Sequence, residues 1–83
     1  MDNLTLVIPA KNESESLPQV LDDLIKFKLK TIIVLEKEDI KTIESINKYE
    51  NIVIIYQKNK GYGDALIEGI NKVNTEYFCI FNA

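Results

Sequence analysis

The sequence predicts an α/β fold: a Rossmann-like half domain, βαβαβαβ, with a mainly parallel four-stranded sheet in the order 3-2-1-4. Two observations predict it. Short runs that are apolar on both sides of the pleat recur along the chain, as expected for strands covered on both faces. Between them lie stretches whose apolar residues fall at helical spacing. Alternation of the two periods indicates helices packed on a parallel sheet. Right-handed crossovers then restrict the topology to a doubly wound one.

Leu4-Thr5-Leu6-Val7-Ile8 forms the first run, closed by Pro9. Ser14 or Ser16 is a candidate cap for the first helix, with Pro18 in the first turn, where proline is tolerated. Leu17, Val20, Leu21, Leu24 and Ile25 then make one apolar helical face. Thr31–Leu35 is a second strand, rich in β-branched residues. Ile40, Ile43 and Ile46 mark a second, weaker helix, and Asn51–Tyr56 a third strand. Leu66, Ile70 and Val73 mark a third helix, opened by a loop at Gly61–Gly63. Tyr77–Phe81 is the fourth strand, with Tyr77, Phe78, Cys79 and Phe81 read as core.

Composition narrows the function. The 83 residues carry 10 Lys+Arg and 13 Asp+Glu, a net charge of −3, and every basic residue is Lys. A slightly acidic chain without Arg does not suit nucleic-acid binding, which needs a basic face. The apolar runs fall far short of the ~20 residues of a membrane helix. The single Cys79 has no internal disulfide partner, and the absence of His excludes the usual His/Cys zinc sites and His-based triads. Cytoplasmic residence fits this composition.

In a doubly wound sheet, ligands sit beyond the carboxyl ends of the strands. Pro9–Glu13, Glu36–Asp39 and Gln57–Asp64 leave those ends. Pro9-Ala10-Lys11-Asn12-Glu13 leads into a helix N-terminus, whose free N–H groups and partial positive charge suit an anion. Asn12 and Glu13 also offer acceptors to a ribose or base; equally, the segment is a turn and helix start. Lys11 either faces a phosphate or is solvated. Gly61-Tyr62-Gly63 either brings the backbone close to a phosphate or sugar or is an ordinary strand-to-helix turn. Asp64 either caps the third helix or touches ligand.

Three segments together resemble the inverting family 2 glycosyltransferases. Leu6-Val7-Ile8-Pro9-Ala10-Lys11-Asn12-Glu13 is similar to that family's opening, a strand running into Pro-any-Tyr-Asn-Glu. Asn59-Lys60-Gly61-Tyr62-Gly63-Asp64-Ala65-Leu66 resembles its Asn-any-Gly-Lys-Gly-any-Ala-Leu segment. Phe78–Ala83 resembles the strand that leads into its metal-binding Asp-any-Asp. Polyprenyl-phosphate sugar transferases of the dolichol-phosphate mannosyltransferase kind are the nearest in flavour.

The resemblance implies a GT-A fold and a nucleoside-diphosphate-sugar site. It places Pro9 and Glu13 against the nucleoside, with Ala10, Lys11 and Asn12 between them, and it favours the ligand-facing alternative for Gly61, Tyr62, Gly63 and Asp64 without settling it. After strand two the family has Asp-Asp-Gly-Ser; here stands Leu35-Glu36-Lys37-Glu38, and only Glu36 replaces the acidic contact. Tyr62 replaces a frequent Lys. No metal ligand is implied within the chain; Mg or Mn is expected for the full-length enzyme, through an Asp-any-Asp beginning after Ala83. Residues 1–83 are thus expected to be one truncated nucleotide-sugar-binding domain, inactive alone and membrane-associated at most as part of the full-length protein. The alternative is a small α/β scaffold or self-associating module without catalysis. A nucleotidyltransferase is disfavoured because Lys11–Glu15 contains no Gly. The apolar edge of strand 77–81 predicts homo-oligomers.

Overall fold

The computed structural model describes residues 3–82. Strands β1 (Leu4–Pro9), β2 (Lys30–Leu35), β3 (Ile52–Tyr56) and β4 (Tyr77–Ile80) form one sheet in the order β3-β2-β1-β4. Every neighbouring pair is parallel. The predicted fold class and strand order are those observed. Helices α1 (Ser16–Leu24), α2 (Ile40–Ser45) and α3 (Tyr62–Asn71) alternate with the strands.

Alternate residues of the central strands feed two cores. Ile8, Ile33 and Leu35 pack with Leu17 and Leu21 of α1 and with Ile46 just beyond α2. Val7, Ile32 and Val34 pack on the opposite face with Ala65 of α3. This double coverage is why β1 and β2 read as continuous apolar runs. Gly69 lets α3 approach the sheet closely: a Cβ there would lie 2.6 Å from Val7 Cγ1 and 2.9 Å from Val34 Cγ2.

The connections are tied by side chains. The Thr75 hydroxyl donates to Tyr77 O at 2.8 Å, so the Thr5 hydroxyl donates to Thr75, 2.6 Å away. That pair fixes the turn before β4 onto β1. Tyr49, following α2, sets its hydroxyl 3.0 Å from Pro18 O and 2.5 Å from Asp22 Oδ1, joining the approach to β3 to α1. Burial, and then the bond to and charge of Asp22, push the Tyr49 hydroxyl up to about 12.

Several local expectations need correction. Neither Ser14 nor Ser16 caps α1: Glu15 holds the N-cap without a side-chain bond, and Ser16 is the first helical residue. The Ser16 hydroxyl donates instead to the Glu13 carboxylate. Ile40 is exposed, and α2 is anchored through Thr42 and Ile46. Val73 lies past the end of α3. Asp64 is not a cap, because Gly61 holds that position. Tyr77, Phe78, Cys79 and Phe81 are exposed rather than core. The reason is lateral position: β4 is an edge strand, and α3 packs over β1 and β2 instead.

Candidate functional site

At the carboxyl ends of the strands, three loops enclose a cleft of about 450 Å³. The volume falls within the range of small-molecule sites, roughly 300–1,000 Å³. The first loop leaves β1. Ala10 N–H still bonds Val34 O at 3.0 Å, so the ladder to β2 runs one residue past Pro9. Asn12 then takes the left-handed conformation, φ 56°. Its N–H donates to Asp39 Oδ2 at 2.7 Å, and Glu13 N–H donates to Thr42 Oγ1 at 3.0 Å. Glu13 O accepts Leu17 N–H at 2.9 Å, which starts α1.

The second loop leaves β2. Glu36 keeps 15% of its side chain exposed and lies 3.8 Å from the Lys11 ammonium, itself 69% exposed. A pair that open is worth at most about 1 kcal/mol, so Lys11 is free to exchange Glu36 for an anionic ligand. The loop closes as a turn in which Asp39 N–H bonds Glu36 O at 3.0 Å.

The third loop leaves β3. Gln57 N–H bonds Leu35 O at 2.8 Å, and its amide donates to Asn59 O and Gly61 O at 2.7 and 3.1 Å. Gly61 has φ 114°, a conformation that L side chains rarely adopt, and it delivers the chain into α3. The first N–H groups of α3 therefore open beside the cleft without helical partners. The Tyr62 hydroxyl reaches across to Asn82 Oδ1 at 2.8 Å, joining the start of α3 to the end of β4.

Of the residues singled out in the sequence, Pro9, Ala10, Lys11, Glu13, Glu36, Gly61 and Tyr62 line this cleft. Asn12, Gly63 and Asp64 do not. Asn12 is turned to Asp39, Gly63 is exposed in the first turn of α3, and the Asp64 carboxylate faces Asn59 at 3.4–3.5 Å. Gln57, Ala65 and Asn82 also line the cleft. Gln57 and Asn82 carry only the positional signal of following a strand. Ala65 is small and 3% exposed, a floor residue that helical periodicity does not mark. Lys11 is the single cation of the lining, against Glu13 and Glu36.

Residues 5–83 match the family model described as Glycosyl transferase family 2. The chain belongs to glycosyltransferase family 2. No curated protein and no solved structure matches it significantly. The sheet order is that of the Rossmann-like half expected for a family 2 domain. Divalent-metal chemistry, which family 2 membership brings into view, finds no ligand set here: among the described residues no three Cys, Asp or Glu side chains are placed to hold an ion.

Proposed function

We propose that the cleft binds the nucleotide part of a nucleoside-diphosphate sugar, making this chain the donor-binding part of a glycosyl-transfer site. The observation that carries this is convergence. Seven residues from three loops, far apart in sequence, meet at the carboxyl ends of the parallel strands. That is the ligand position of doubly wound sheets. In this site Glu36 accepts hydrogen bonds from the ribose or base. Lys11 and the open N–H groups of α3 face the diphosphate. Tyr62 supplies an aromatic wall, and Glu13 supplies a further acceptor. Polyprenyl-phosphate sugar transferases remain the proposed kin within the family. Because the described residues offer no metal ligand set, no step is assigned to Mg or Mn here.

Calorimetric titration with UDP, GDP, CDP and dTDP tests the proposal. At least one diphosphate should bind saturably. Glu36→Ala should weaken it more than tenfold, since a hydrogen bond to a charged group is worth roughly 1.5–3 kcal/mol. No saturable heat with any of the four, from a folded sample, would contradict the proposal.

A second reading has its own observation. Among the described residues, β4 pairs on one side only, with β1, while Tyr77, Phe78 and Phe81 are exposed. An apolar edge without a charged or proline guard favours strand addition. A self-associating module would use this edge, through a second copy of the chain.

A further inference from the structure

We propose that Asp39 and Thr42, outside the cleft lining, are positioning residues that set the shape of its first wall. This deepens, and rests on, the nucleotide-binding function proposed above. Asp39 occupies the N-cap of α2, where an Asp ordinarily accepts the N–H of the second or third helical residue. Here it makes no capping bond. Its carboxylate is spent instead on Asn12 N–H, 2.7 Å away and 27 residues earlier. Three residues on, Thr42 is fully buried and accepts Glu13 N–H at 3.0 Å. Short α2 thus holds two successive amides of the β1–α1 loop.

The consequence reaches the cleft through Asn12. Its left-handed backbone, φ 56°, is uncommon for a side chain other than glycine, although Asn tolerates it best. Lys11 precedes it and Glu13 follows it, and both line the cleft. The turn at Asn12 therefore decides where those two side chains point. Asp39 also bonds its own N–H to Glu36 O at 3.0 Å, so one residue ties the Glu36 turn to the Lys11 loop. Lys11 and Glu36 stand 3.8 Å apart across that junction. The first two walls behave as one preorganised unit, which lowers the ordering cost of binding.

Amide hydrogen exchange and diphosphate titration of the same variants test this. Asp39→Ala removes an exposed bond and should leave the fold intact. It should speed Asn12 amide exchange at least tenfold and weaken binding of the diphosphate that binds the wild type about tenfold. Asp39→Asn keeps an acceptor and should restore most of the affinity; a purely structural role would give no such recovery in binding. Thr42→Ser should behave as wild type at the Glu13 amide, and Thr42→Val should not. Unchanged Asn12 exchange in Asp39→Ala overturns the clamp. Accelerated exchange with unchanged affinity overturns the positioning role. Absence of binding in the wild type overturns the nucleotide reading instead, and Asn12 and Glu13 exchange then decides the clamp alone.

Discussion

Gly69 shows how one atom governs a packing distance. A methyl there would press on Val7 and Val34, both fully buried and stiff at χ1. Alanine raises helix propensity by roughly 0.8–1 kcal/mol, but overpacking a core costs typically about 1–3 kcal/mol. Gly69→Ala should therefore lower stability by up to about 2 kcal/mol net in urea unfolding; a gain in stability would show that α3 can lift freely from the sheet. Tyr49 gives a residue-scale prediction in pH. Folding raises its hydroxyl to about 12, so the folded chain holds a proton that the unfolded chain loses near 10. Stability linked to Tyr49 is complete below about pH 10 and is lost as pH rises towards 12. The difference in stability between wild type and Tyr49→Phe should shrink across that window, whereas a constant difference would deny the linkage. Neither residue's role was legible in advance. Periodicity marks apolar faces, and Gly69 adds no apolar surface; Ala65, four residues earlier on the same face of α3, is the one faint sign of close approach.

At the scale of elements, the strands were legible because burial on both faces leaves only apolar residues, as in Ile32-Ile33-Val34-Leu35. β4 shows where that signal stops. Tyr77-Phe78-Cys79-Ile80 reads like a buried strand yet lies at the sheet edge with its side chains largely exposed. Composition reports what a strand would tolerate, not what covers it. The same exposure yields a prediction. Sedimentation of the chain at high concentration should reveal dimers, and Phe78→Lys should shift them to monomer by placing a charge on the edge. A strict monomer at every concentration would rule the edge out as an interface. Helix starts were the least legible feature. Ser14 and Ser16 have good capping chemistry, but Glu13 captures Ser16 and leaves Glu15 at the cap. Asp39 likewise serves a distant loop rather than its own helix. Such long-range bonds leave no periodic trace.

For the whole molecule, fold and site follow from one arrangement. The radius of gyration, 11.7 Å, matches the ~12 Å expected of a compact folded chain of this length. The parallel sheet sends all three loops to one end, and there the cleft forms. The opposite end is different in kind: its hollow, lined by Ile25, Lys28, Leu29, Lys30 and Asn51, contains no acidic side chain. The two ends thus offer a direct contrast for locating a ligand. The position of the cleft was legible because strand order dictates where the loops gather. Its finer shape was not, since Gln57 and Asn82 enter the lining only by where their strands end. The most direct measurement is amide chemical-shift mapping during titration with the four nucleoside diphosphates. Saturable shifts are expected at Ala10, Lys11, Glu13, Glu36, Gly61 and Tyr62, with Lys28, Lys30 and Asn51 unmoved. Shifts confined to the Lys28–Asn51 end, or none at any residue, would contradict it.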